Sequence, residues 1–264
     1  MWNWFRNNRR KKILATPFPS EWERHIQYNI QYYQHLNNEE KKHLQDLIRI
    51  FIAEKFWLGC NGLELTDEIR VMIAAYACLM ILALPNDYYR NVESIYVYPT
   101  TIISPESSPG FFEVRTTPVR GPMPILGEAH HRGPVILVWD AVKRETRHPE
   151  HGHNVVYHEF AHKLDMLDGS ADGTPPLTTS VEYQRWIEVC SKEYRELCDK
   201  VKYGEPTFFD SYATTNEAEF FAVVTEIFFS KPEDMKHYHP KLYQVLQDFY
   251  RQDPAQKVFN NPLP

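Results

Sequence analysis

The chain has 264 residues, a formal net charge of −6, and 43% hydrophobic and 14% aromatic residues. That length suits one large domain or two small ones with a sizeable core. The acidic balance excludes general binding to nucleic acid, which requires a basic face. Cys60, Cys78, Cys190 and Cys198 form no CxxC pair and no dense framework. They are expected as buried or incidental thiols in a reducing, cytoplasmic compartment.

The opening stretch "MWNWFRNNRRKKILATPFP" has cations but no apolar run behind them. It is therefore no secretory signal, and residues 1–19 are expected as a flexible basic and aromatic arm. Ser20 and Glu23 have the spacing of a capping box that opens a helix to about Leu36. Asn38 can cap a second helix to about Trp57, with Leu44, Leu47, Ile48, Phe51 and Ile52 as its apolar stripe. Thr66, followed by Asp67 and Glu68, starts a third, which Pro85 stops. Its apolar run, "VMIAAYACLMILAL", has 14 residues, short of the roughly 20 needed to span a bilayer. A buried core helix is expected there, and no membrane span.

Between residues 92 and 142 the texture changes to short β-rich pieces, "SIYVYP", "FFEVRTTPV" and "GPVILVWDAV", split by Gly and Pro. Helices return after His153: the segment from Asn154, another from about Val181 to Val201, and "NEAEFFAVVTEIFF" from Asn216. Residues 256–264 are expected as a loose tail. The expected fold class is α+β: one domain over 20–255 with a small mixed sheet. Its parts are a helical layer at 20–85, the β-rich part at 92–142 and functional helices at 153–230.

The stretch "NVVYHEFAHKLDMLDG" carries the chemistry. His158 and His162 are four residues apart, so on a helix both imidazoles leave one face, one turn apart. That spacing suits two nitrogen ligands of one zinc ion, with Glu159 about 100° round the helix near the open side. Two satisfied structural histidines are the alternative. The apolar residues Val155, Val156, Phe160, Ala161 and Leu164 imply burial, which is costly for His, Glu and His unless something pairs them.

A catalytic zinc needs a third protein ligand. Asp168 lies six residues past His162, where short-spacer families place theirs, but Asp165 occupies the position where those families require glycine. The other source is "SYATTNEAEFFAVVTEIFFS", an almost wholly apolar helix interrupted by Glu219, Thr225 and Glu226. Glu219 on that helix, opposite the two histidines, would complete a His-His-Glu set. Glu219 can equally serve as the third residue of an Asn216 cap, and Glu217 and Glu226 remain further candidates.

Together "GEAHHRGPVILVWDAV", the His158–His162 segment and "SYATTNEAEFFAVVTEIFF" resemble the Mlc titration factor A family of bacterial zinc peptidases. The resemblance runs from about Glu39 to Phe249. It implies a zincin-like fold of gluzincin type, zinc on His158, His162 and Glu219, and Glu159 as general base. It also implies an aminopeptidase-like activity on peptides or proteins, and binding to a transcriptional repressor of the Mlc type as the alternative function. The glutamate segment with a tyrosine seven residues upstream is similar to the catalytic domain of anthrax lethal factor, which makes Tyr212 the expected transition-state donor. His130 stands where the family leads one to expect an aromatic residue.

Asp165, one turn after His162, and Glu226 are expected to accept a ring N–H from a zinc histidine. "PVILVWD" is a strand that could pair with an extended peptide. His131, His148, His151 and His153 are expected in loops.

Overall fold

The computed structural model describes residues 2–85, 89–100 and 133–260. In chain order these form α1 (Trp2–Leu14), α2 (Ser20–Asn29), α3 (Gln31–Gln34), α4 (Asn38–Glu54) and β1 (Phe56–Gly59). There follow α5 (Asp67–Met80), β2 (Ser94–Tyr98), β3 (Val135–Val138), α6 (Trp139–Arg147), α7 (Val155–Asp165) and α8 (Ser180–Lys202). The chain closes with α9 (Glu217–Ser230), α10 (Pro232–Tyr238), α11 (Pro240–Tyr250) and α12 (Pro254–Asn260). The result is a helix-rich α+β fold.

The sheet has the order β1-β2-β3 and is parallel throughout the described residues, not mixed as expected. A parallel neighbour needs a crossover connection, and α5 supplies the one between β1 and β2. Ile95 and Val97 on β2 and Val135 and Leu137 on β3 turn inward to the common core, while Tyr96 and Tyr98 stay half-buried. The segments "FFEVRTTPV" and "GEAHHRG" up to residue 132 lie outside the described residues.

Several boundaries differ from the sequence expectation for identifiable reasons. Residues 2–14 form α1 instead of a loose arm, because Arg10 pairs with Glu54 on α4 through both carboxylate oxygens (2.8 and 2.7 Å). Ser20 is the first residue of α2, not its cap; Pro19 takes that position without a side-chain bond. Glu23 instead accepts from the Tyr33 hydroxyl (3.1 Å) and the Gln45 amide (3.3 Å). The expected helix to Leu36 breaks at Ile30, whose backbone is extended. Asn37, one residue before the expected cap, heads α4 in a reciprocal box with Glu40. Phe56 and Trp57 belong to β1, because the chain leaves α4 at Lys55 to pair with β2. Thr66 caps α5 as expected. The tail is helical to Asn260, and 261–264 lie outside the described residues.

The core is continuous around α5, α7 and α9. Phe160 of α7 packs against Phe51 of α4 and Tyr89, and Tyr157 packs between Tyr76 of α5 and Phe229 of α9. Gly173 ties the turn after α7 to this frame. Its φ of +76° is open to glycine, and a Cβ there would meet the Glu217 carbonyl oxygen at 2.3 Å. Its carbonyl accepts from the Trp186 indole of α8 (3.1 Å). Gly173→Ala should therefore destabilise the fold by about 1–3 kcal/mol and disturb the start of α9. Urea denaturation is the check; an unchanged midpoint would mean that this turn tolerates a side chain.

Candidate metal centre

The first turn of α7 is held by four hydrogen bonds to three side-chain oxygens. Glu226 Oε2 accepts from the Asn154 backbone N–H (2.6 Å), and Glu145 Oε2 from that of Val155 (2.7 Å). Asn154 Oδ1 then accepts from Val156 and Tyr157 (both 3.1 Å). A helix start leaves four N–H groups unpaired, and here each finds a partner. At the other end the Asn91 amide donates to the Lys163 carbonyl (2.8 Å), and Arg90 donates to that of Leu167 (3.2 Å).

On this anchored helix His158 and His162 present Nε2 atoms 3.2 Å apart. Glu219, on the first turn of the antiparallel neighbour α9, places Oε2 at 3.0 Å from His158 Nε2 and 3.4 Å from His162 Nε2. All three residues are buried. Among the described residues this is the one group of three or more ligand-type side chains close enough to hold a metal ion.

Two observations test whether a cation fits. The three separations match the roughly 3.3–3.4 Å edge of a tetrahedron whose ligands stand about 2.0–2.1 Å from its centre. Moreover Glu219 Oε2 is buried yet makes no hydrogen bond of normal geometry despite its two close neighbours. Three ligand atoms crowded at one point, with the buried carboxylate oxygen left without a hydrogen bond, are what a shared cation explains.

The electrostatics agree. Burial alone would pull the His158 ring down, but Glu219 and Glu226 outweigh it and push the ring up to about 10. Burial alone would push Glu219 up, yet His158 and His162 hold its carboxyl well below the usual carboxylate range. The pocket thus attracts positive charge, as a proton or as a metal.

Glu226 reaches the outer ring nitrogen of the first histidine. Its Oε1 lies 2.8 Å from His158 Nδ1, which assigns the ring proton to Nδ1 and leaves the Nε2 lone pair for the centre. Asp165 departs from its expected partner. It is fully buried, and its Oδ2 accepts from the Gly173 backbone N–H (3.0 Å), not from a histidine ring. Gly173 reaches it because the chain turns back after α7, and Asp165 Oδ1 has no hydrogen-bond partner. Burial pushes Asp165 up to about 7, against the Gly173 bond and the nearby His162.

Glu159 is partly exposed beside the cluster, and burial pushes its carboxyl up against the pull of His158 and His162. Tyr212 sits in the short 3-10 turn Ser211–Thr214 that feeds α9, its ring centroid 6.1 Å from that of His158. Asp168 is exposed and accepts from Ser170 N–H in a turn; Glu217 is also exposed. Neither joins the cluster. His148 and His151 stack on each other around the turn Pro149–His151, outside the cluster. His130 and His131 lie outside the described residues. Sequence reasoning passed over Glu145 and Gly173, which act across the fold and carry no local signal. Asn154 did carry one, as an Asn heading an apolar helix.

Two histidines and a glutamate around one point, with a free carboxylate beside them, are the equipment of a metal-dependent hydrolase. The comparisons agree: the chain belongs to the family described as glucose-regulated metallo-peptidase M90, whose model matches residues 3–251. It is 37% identical to an uncharacterized Synechocystis sp. protein over 93% of this chain and 89% of that protein. It is 31% identical to Mlc titration factor A of Klebsiella pneumoniae, over 87% and 85% of the two chains. It is also 31% identical to that of Serratia proteamaculans, over 84% of each.

Glu226→Gln should lower stability by about 1–3 kcal/mol, because one of two buried N–H donors loses its acceptor. Metal affinity should fall about 10–100-fold. Urea denaturation and a metal-chelator competition read the two effects; full affinity would show that the bridge does not hold His158.

Proposed function

We propose that this chain is a zinc-dependent peptidase of gluzincin type, aminopeptidase-like, acting on peptides or proteins in the cytoplasm. The observation that carries this reading is the convergence of His158 Nε2, His162 Nε2 and Glu219 Oε2 beside the partly exposed Glu159. Those three residues would hold the metal. A zinc ion supplies Lewis acidity there, polarising a carbonyl and making water acidic enough to ionise near neutral pH.

The chain's own groups do the rest. Glu159 accepts the proton of the attacking water and returns it to the leaving amine; its raised affinity for protons suits that exchange. Tyr212, beside His158, donates its hydroxyl to the developing oxyanion. Glu226 holds the His158 ring, and Asp165 supports the site through the Gly173 turn. β3 is a sheet edge among the described residues and packs beside α7. An extended substrate pairing with β3 would run past the metal residues. The name of the Klebsiella pneumoniae and Serratia proteamaculans relatives motivates a second reading, in which the chain also binds a repressor of the Mlc type.

Glu159→Gln should keep metal and lose about 10²–10⁴-fold in turnover, while leaving any repressor binding intact. Near-native turnover would remove Glu159 from the mechanism. Glu219→Ala should strip the metal and Asp168→Ala should retain it, as read by metal analysis of the purified variants; the reverse pattern would sink the His-His-Glu assignment. Tyr212→Phe should hold full metal and lose roughly 10²-fold in kcat with KM little changed. An unaltered kcat would leave Tyr212 as a packing residue.

A further inference from the structure

α1 is electrically unlike the rest of the chain. It carries Arg6, Arg9, Arg10, Lys11 and Lys12 and no acidic residue. That is +5 on a chain of net −6, which leaves −11 for everything else. Its orientation is fixed at the end of α4, where Arg10 pairs with Glu54 and Arg9 donates to the Ala53 carbonyl (2.9 Å).

With Arg10 turned inward, the outer side presents Trp4, Phe5, Lys11 and Lys12 to solvent. The two rings meet edge to face at 5.0 Å and are 62% and 61% exposed. Two residues beyond Glu54, Phe56 of β1 is exposed to the same degree. Adjacent bare aromatic rings on a folded surface mark a contact site.

The order of groups along the helix selects the occupant. The rings come first, and Lys11 and Lys12 follow about 10 Å along the axis at 1.5 Å per residue. A lipid surface with anionic headgroups offers the same order in depth: an interfacial layer that takes Trp and Phe, and headgroups that take Lys and Arg. Nucleic acid offers the charge without the apolar layer, and an acidic protein would need a matching apolar pocket as well. The acidic remainder is repelled by such a surface, which restricts contact to this face.

We propose that α1 is a docking helix for anionic lipid surfaces, holding the chain reversibly at the face of a bilayer. The assignment is independent of the metal centre.

Flotation of the full chain with phosphatidylcholine vesicles, with and without phosphatidylserine, tests it. At low salt the chain should float only with the phosphatidylserine vesicles, and added salt should release it. Lys11→Glu with Lys12→Glu should cut partitioning about tenfold or more. Trp4→Ala with Phe5→Ala, both exposed and so harmless to folding, should cut it several-fold. Failure to float at low salt overturns the proposal, as does flotation that survives both double variants. Equal retention by duplex DNA or polyglutamate, unaffected by Trp4→Ala with Phe5→Ala, would assign α1 to polyanions and also overturn it.

Discussion

Glu226 is a carboxylate placed where almost no carboxylate belongs, inside a helix that is apolar on nearly every side. Its two oxygens reach two different parts of α7, the backbone N–H of Asn154 and the Nδ1 atom of His158. One bond fixes where the helix begins, and the other fixes how its first histidine is turned. An unpaired carboxylate would be expelled from such a setting. Its presence therefore demands that α7 and α9 stand in one register, and that register brings Glu219 opposite His158 and His162.

The same two helices create a local excess of negative charge. Glu219, Glu226 and Glu159 all border the two imidazoles; the Lys163 ammonium offsets part of the Glu159 charge, and protons or a bound cation must offset the rest. A buried pair of opposite charges seldom adds stability, because desolvation consumes the gain. The cluster is better understood as a cost that the surrounding core sustains. Phe160, Tyr157 and Phe228 pack the opposite sides of α7 and α9 and keep the site closed to relaxation.

Much of this was legible in the sequence, because the relevant signals are local. His158 and His162 declare a shared helix face by spacing alone, and the polar interruptions in α9 single out Glu219 and Glu226. Thr66 announces α5 through its side chain and the acids behind it. Where the reading went astray, a distant partner had intervened. Glu23 abandoned its own helix start for Tyr33 and Gln45, and Arg10 turned an arm into a helix by finding Glu54. Asp165 was read as a partner for a histidine one turn away. It instead serves the Gly173 turn, whose approach depends on a glycine packed against Glu217. The direction of the sheet strands escaped for a related reason: short β-rich runs do not encode parallel or antiparallel pairing, which the crossover decides.

The clamp at the far end of α7 completes the logic of the site. Lys163 and Leu167 give their carbonyls to Asn91 and Arg90, from the connection that leads into β2. The Lys163 ammonium reaches the Gly133 carbonyl (2.9 Å) just before β3. Burial pulls that ammonium down, and the Glu159 carboxylate opposes the shift. The metal helix is thus tied to the sheet at its C-terminal half and to α9 at its N-terminal half. Sheet edge and metal residues are then parts of one rigid frame. On the proposed reading, a peptide laid along β3 would lie beside the helix that carries Glu159, and proximity of this kind removes much of the entropic barrier to hydrolysis.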